Sequence, residues 1–385
     1  MSNSSVVPAP AAVPSPQSRI HGCLLGGALG DSLGYAVEFD SITAIRARFG
    51  AAGLRDFAAL DGGAHFSDDT QMTLYTVDGL VEALEWANAG VGADANACLW
   101  LAYLRWLETQ GMTAPDPAPR PQARWIDGQP VLWQRRSPGN ACLSGLATGE
   151  MGTVQRPVNP DSKGCGTVMR SAPFGLIPHI PAEAVCKLSG DAAALTHGHP
   201  SARQSAAAFS LLIHSLVQGG TLQTAARTAA EHVRSDPEAV LELRERLDAA
   251  LRLAGETPAN GSAVDETAAD GAAAPGPAAL LGPEDLVREL GEGWVAEEAL
   301  AVGLYAVLAT AKGDHGPLPP VEHFKAAVAV AVNHSGDSDS TGSIAGNILG
   351  AYYGEACLPA DWLEALEAPE VIRGMADQLV SVTTA

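Results

Sequence analysis

Residues 18–38 read SRIHGCLLGGALGDSLGYAVE. Small and apolar side chains fill the run, and Gly26, Gly30 and Gly34 recur every four positions. Positions four apart lie on one face of a helix, so the three glycines leave a bare strip that a second helix can approach closely. The helical period continues along most of the chain. Segments 71–89, 96–110, 200–218, 221–234, 237–255, 283–311, 321–333, 341–353 and 361–381 carry apolar residues three and four apart. The stripe Trp100, Tyr103, Leu104 and Leu107 is one example, and burial in the core is its expected fate. No alternation is long enough to build a sheet, although AVAVAV at 327–332 would suit a strand in isolation. The expected fold is all-α, a single compact multi-helix domain spanning about residues 18–385.

Three stretches fall outside this pattern. Residues 1–17, MSNSSVVPAPAAVPSPQ, hold four prolines and no basic residue, and are expected to be a disordered tail rather than a signal peptide. Residues 254–282 are Ala, Gly, Pro and acid without an apolar face, as expected of a disordered insertion. Residues around 115–165, rich in Pro, Arg and Gly, are expected to form an extended loop. The 385 residues are 46% hydrophobic and 17% charged, enough to bury a sizeable core. A net charge of −21 argues against a nucleic-acid or anionic-membrane partner, since both need clustered Lys and Arg. The six cysteines form no C-x-x-C pair, which fits a reducing cytoplasm, and no apolar run reaches the ~18 residues of a membrane span.

Two acidic clusters stand far apart. FSDDTQM holds Ser67, Asp68, Asp69 and Thr70, and NHSGDSDSTG holds Asp337, Asp339, Ser340 and Thr341. Each precedes a helical segment, and Ser or Asp there can cap the helix. One cap needs one such residue, however, and paired carboxylates repel unless a cation lies between them. Aspartate and hydroxyl oxygens without soft ligands suit Mg²⁺ or Mn²⁺, and four carboxylates can hold two ions. Competing motifs are incomplete. The Asp337 string opens like a calcium loop, but its twelfth position is Ile348 rather than Glu. Its DxDxT pattern also resembles a phosphatase nucleophile, which belongs directly at the end of a strand. Gly30-Asp31-Ser32-Leu33-Gly34 fits the GDSL esterase string with Ser32 as nucleophile, yet the preceding residues read as helix. No dinucleotide fingerprint, Walker A sequence or H-E-x-x-H is present.

The segment Ser162–Arg170 is Gly-rich and can bring backbone N–H groups to an anion, or can equally be an ordinary turn. His197-Gly198-His199-Pro200 precedes a helix, where histidine suits hydrogen bonding to phosphate or hydroxyls better than ligating a hard metal.

Taken together the motifs resemble the ADP-ribosylglycohydrolase family. The resemblance is carried by GCLLGGALGDSLGYAVEF at 22–39, FSDDTQMTL at 66–74, KGCGTVMRSAPFGL at 163–176, ALTHGHPSA at 194–202, EGWVAEEALAVGLYAVL at 292–308 and NHSGDSDSTGSIAGNILGAYYG at 333–354, in the family's order. It implies an all-α fold with two Mg²⁺ or Mn²⁺ ions in a cleft, held by Ser67, Asp68, Asp69, Asp337, Asp339 and Ser340. Ser67 and Ser340 stand where members often have Thr. Glu38 matches an acid near metals and substrate, and Asp31 an acid behind the ligands. Glu38 or Asp69 would move the proton in catalysis. Gly164, Cys165, Gly166, Thr167, Met169 and Arg170, with His197, would face ADP-ribose; Cys165 replaces a frequent Asn. The implied reaction is hydrolysis of an ADP-ribosyl glycosidic bond in a modified protein side chain or small molecule. The leaving group is open. The alternatives are a Ser32 esterase and a non-catalytic ADP-ribose-binding protein.

Overall fold

The computed structural model describes residues 13–256, 280–313 and 316–384. Its helices are α1 Pro16–Tyr35, α2 Ile42–Phe49, α3 Asp68–Asn88, α4 Ala95–Thr109, α5 Asn140–Ala147, α6 Ala172–Gly175, α7 Ala182–Ala193, α8 Pro200–Val217, α9 Leu222–Ser235, α10 Leu241–Leu253, α11 Pro283–Leu290, α12 Ala296–Ala309, α13 Pro320–Val332, α14 Ser338–Tyr353, α15 Ala360–Ala365 and α16 Pro369–Thr383. Among the described residues the only strands are the two-residue pieces Lys312–Gly313 and Gly316–Pro317, paired antiparallel.

The bare strip of α1 does receive a second helix, and that helix brings glycines of its own. Gly22, Gly26 and Gly30 of α1 face Gly350, Gly346 and Gly342 of α14, so the two helices run antiparallel with almost nothing between their backbones. A Cβ added to Gly30 would lie 2.0 Å from the Gly342 carbonyl oxygen, and one on Gly34 2.1 Å from that of Ser338. Only glycine tolerates this approach. The remaining helices pack around this pair through one continuous apolar cluster, in which Trp106 and Trp362 are fully buried. A smaller cluster lies between α10, α11 and α12. No helix among the described residues is long and apolar enough to cross a membrane.

Several boundaries differ from expectation for local reasons. AVAVAV lies inside α13, as the helical period over 321–333 predicts; all its residues but Val330 are buried, and the helix packs on α12 and α14. The periodic stretch 283–311 breaks into α11 and α12 at Gly291 and Gly293, both with positive φ. The stretch 361–381 breaks at Ala368, in the left-handed region just before Pro369. Residues 115–165 are mostly turns but include α5. Helix α1 starts at Pro16, capped by Ser15, two residues inside the proposed tail; the first 12 residues lie outside the described ones. Of the proposed insertion, 257–279 lie outside them as well.

Candidate active site

Because α1 and α14 are antiparallel, the end of the first meets the start of the second. Helix α3 begins beside both, and the meeting point is built by Asp31. This residue, fully buried on α1, accepts hydrogen bonds from Ser67 N and Thr70 N at 3.0 Å each, and from the Thr70 hydroxyl. It therefore satisfies free N–H groups at the start of α3, where a negative charge also suits the helix dipole. Ser67 completes the cap, its Oγ accepting from Asp69 N at 3.1 Å. Asp337 caps α14 in the same way, accepting from Ser340 N at 3.3 Å.

Asp68 and Asp69 in the first turn of α3, Asp337 and Asp339 at the start of α14, and Glu38 just beyond α1 then line one cleft of about 490 Å³. No lysine or arginine is among its described lining residues. Asp68 Oδ2 accepts from Gly139 N at 3.1 Å, and Ser340 Oγ donates to Asp69 Oδ2 at 2.8 Å. Glu38 is only 7% exposed, and its Oε2 has no hydrogen-bond partner among the described residues. The Gly-rich loop lines the same cleft. Its position is fixed by Cys165 N donating to Trp294 O (3.2 Å) and Ala296 N to Lys163 O (2.9 Å), while Lys163 pairs with the buried Glu297. Phe39 and Trp294, both exposed, stack at the rim with ring centroids 6.1 Å apart.

Burial and mutual repulsion make these acids reluctant to ionise. Burial pushes Asp31 up to about 6 against its hydrogen bonds. Burial, with Asp337 and Asp68 adding repulsion, pushes Glu38 up to about 8. Burial and the nearby Asp31 and Asp337 carry Asp68 to about 8. Asp69 and Asp339 are raised well above the usual carboxylate range, by burial first and then by neighbouring carboxylates. Among the described residues no three acid, cysteine or histidine side chains are drawn in around a single point. The donor set itself still fits a hard divalent cation: five carboxylates and a hydroxyl, one oxygen orphaned, with no lysine or arginine in the described lining to pair with them.

Metal-free protein keeps protons on these acids that the unfolded chain, with ordinary values of 3.8 and 4.5, releases. Protons bound in excess by the folded state make stability fall as pH rises from about 4 to 8. Chelator-treated protein is therefore expected to melt more than about 5 °C lower at about pH 8 than at about pH 5.5. Mg²⁺ or Mn²⁺ should close that gap, because only ionised ligands bind metal. Equal melting at both pH values without metal would contradict the crowded-acid account.

A family model described as ADP-ribosylglycohydrolase matches residues 12–385. The chain belongs to the ADP-ribosylglycohydrolase family. It is similar to the ADP-ribosyl-[dinitrogen reductase] glycohydrolase of Rhodospirillum rubrum, 23% identical over 96% of this chain and 98% of that protein. It is also similar to ADP-ribosylhydrolase ARH3 of Gallus gallus, 29% identical over 96 residues, about a quarter of each chain (25% and 26%). A solved structure titled ADP-ribosylglycohydrolase-related protein complex shares the fold, with a TM-score of 0.61 and 22% identity over 96% of this chain and 99% of that one. Family and relatives support a glycohydrolase that hydrolyses ADP-ribose linkages.

Within this glycohydrolase the cleft gathers most of the residues anticipated from sequence: Glu38, Asp68, Asp69, Asp337, Asp339 and Ser340 on one side, Gly164, Cys165, Gly166, Met169 and His197 on the other. Three are not at the wall. Ser67 is fully buried as the cap of α3. Thr167 donates to Ala202 O at 2.9 Å. Arg170, fully buried, donates to Thr196 Oγ1 at 2.7 Å and lies 4.5 Å from the Tyr103 ring centroid. Its charge still acts on the site, since burial and Arg170 together hold His197 down to about 3, leaving that imidazole neutral. His199 turns away to cap α8, its Nδ1 accepting from Ser201 N at 3.1 Å. Ser32 sits inside α1, 1% exposed, with no hydrogen-bond partner among the described residues and no strand before it. It borders a separate hollow of about 900 Å³ between α1, α2 and residues 53–65 that holds none of the cleft acids. The nucleophile elbow of an esterase is thus not formed. Sequence reasoning missed Ser137–Cys142, which form the floor of the cleft. The turn-rich Ser137-Pro138-Gly139-Asn140 was the available signal.

Proposed function

We propose that this cleft hydrolyses an ADP-ribosyl bond at the anomeric carbon of the ribose, with two Mg²⁺ or Mn²⁺ ions held by Asp68, Asp69, Asp337, Asp339 and Ser340. The observation that carries this reading is the convergence of five buried carboxylates from three distant segments on one cleft whose described lining contains no cation. Bound there, the ions supply Lewis-acid polarisation and lower the pKa of water.

The chain's own residues do the rest. Glu38, which lines the cleft and has a buried carboxylate oxygen without a hydrogen-bond partner among the described residues, would take a proton from water or give one to the leaving atom. Breaking the bond builds positive charge on the sugar ring, and the acids of the cleft offset it. Gly164 and Gly166, in the lining of the cleft, would let backbone approach the pyrophosphate, and neutral His197 would offer a hydrogen bond without adding charge. The acidic cleft disfavours a bare pyrophosphate, so these neutral donors have to carry much of its recognition.

Two measurements test the reading. ADP-ribose release from ADP-ribosylated arginine and serine, each assayed with Mg²⁺, with Mn²⁺ and after chelation, is expected to stop on chelation and return with metal. Full turnover in chelator sinks the metal proposal, and ADP-ribose binding without turnover on any substrate makes the chain a binding protein. Glu38→Gln is expected to lower kcat by about 10²–10⁴-fold with unchanged helical circular dichroism. A rate within threefold of the parent (about 0.65 kcal/mol) would remove Glu38 from proton transfer.

A further inference from the structure

Cys165 brings sulfur to a cleft otherwise rich in oxygen. Its Sγ donates to Asp337 Oδ2 at 2.7 Å, and Asp69 and Ser340 lie beside the same thiol. The residue is partly buried and lines the cleft. Cys142, the other cysteine there, is fully buried and turned toward Gly166 O and Arg170. A second feature of the same cleft points independently to a cation: the buried Glu38 oxygen that no protein group satisfies among the described residues. Such an orphan weakens the fold until a partner reaches it.

We propose that Cys165 and Asp337 form a sulfur–oxygen donor pair in the metal site, so that the cleft accepts a thiophilic divalent ion, Zn²⁺ or Cd²⁺, in place of one hard ion. The proposal rests on the two-ion reading above. Carboxylates and hydroxyls alone favour Mg²⁺ and Mn²⁺, whereas a thiolate selects softer ions. The spacing is close to what the pair needs. Metal–sulfur and metal–oxygen bonds of about 2.3 and 2.1 Å at a tetrahedral angle place the two donors roughly 3.5 Å apart. From the 2.7 Å contact, the side chains have to open by less than about 1 Å. As the metal–sulfur bond forms, the thiol proton passes to the buffer.

The test uses the full chain, stripped of metal and titrated with Cd²⁺, reading the ultraviolet charge-transfer band of a cadmium–sulfur bond. The parent is expected to gain the band and Zn²⁺ to erase it by competition. Cys165→Ser and Cys165→Ala are expected to lack it, and Cys186→Ser to keep it. Cd²⁺ affinity should fall at least about tenfold in Cys165→Ser. The cadmium NMR shift of the bound parent reports a sulfur ligand without any variant, which keeps the test decisive if Cys165→Ser fails to fold. Mn²⁺ binding, read by electron paramagnetic resonance, separates the two levels of the argument. Mn²⁺ bound by the parent with no cadmium–sulfur signal, or a full band in Cys165→Ser, overturns the sulfur ligand and leaves the two-ion reading standing. No binding of Mn²⁺ at all overturns both.

Discussion

Asp69→Asn is expected to abolish metal-dependent release of ADP-ribose while the helical circular dichroism stays that of the parent. Asp69 is enclosed by other carboxylates: Asp31, Asp68 and Asp337 all repel it, and Ser340 donates to it from α14. An amide keeps the shape but loses the charge that would hold a cation. Lewis-acid assistance is worth several kcal/mol, so removing one ligand of the pair should cost about 10³-fold or more in kcat. The same change relieves repulsion in the metal-free protein. Asp69→Asn should therefore melt higher than the parent in chelator and gain little from added Mg²⁺. That crossed pattern, stability up and activity down, distinguishes a ligand from a residue needed for folding. Retained activity, or a parent-like response to Mg²⁺, would refute the assignment.

Gly346→Ala is the second large effect, and it acts on the backbone. The new Cβ would lie 1.9 Å from the Gly26 carbonyl oxygen and 2.6 Å from its carbon, and neither atom belongs to a side chain that can swing aside. Overpacking a core costs about 1–3 kcal/mol when neighbours can repack; against a facing helix the upper end or beyond is expected, with loss of more than about 5 °C in Tm. Separating α1 from α14 also moves Asp31 and Glu38 away from Asp337 and Asp339, so Mn²⁺ affinity should fall with stability. Gly92→Ala is the matched control. Its position is open, with nothing within 4 Å of the added Cβ, and it should change stability by less than about 0.5 kcal/mol. Parent-like melting and metal binding in Gly346→Ala would show that the helices are free to part without consequence.

The sequence made the helices legible where a wide apolar stripe continued for several turns, as in α3, α4 and α8. It also marked the glycine strip of α1, because spacing by four is a property of one helix. The partner strip, Gly342, Gly346 and Gly350, was equally visible in the string but could not be assigned to it, since no local pattern says which two faces meet. AVAVAV alone would suit a strand, but the three- and four-residue period over 321–333 decided correctly for a helix. At the site, the acids were legible by their excess over what caps require. Arg170 was not, because a cation beside a Gly-rich loop reads as an anion ligand, and only the packing of Tyr103 and Thr196 around it fixes its direction. Ser137–Cys142 were hidden for the opposite reason: their turn residues were visible in the string, but a turn does not say which site it lines, and Gly139 reaches Asp68 through its backbone N–H.

The pairing of α1 with α14 also governs when a newly made molecule becomes competent. Arg19 bonds to the Ala351 carbonyl across 332 positions. At a synthesis rate of about 5–20 residues per second, tens of seconds separate the emergence of one helix from that of its mate. Throughout that interval the glycine groove of the first is an unmatched surface on a nascent polypeptide, exposed to whatever else in the cell has a smooth helix to offer. Closure of the cleft is therefore a late event in the making of the molecule, since it waits for a segment more than 300 positions downstream.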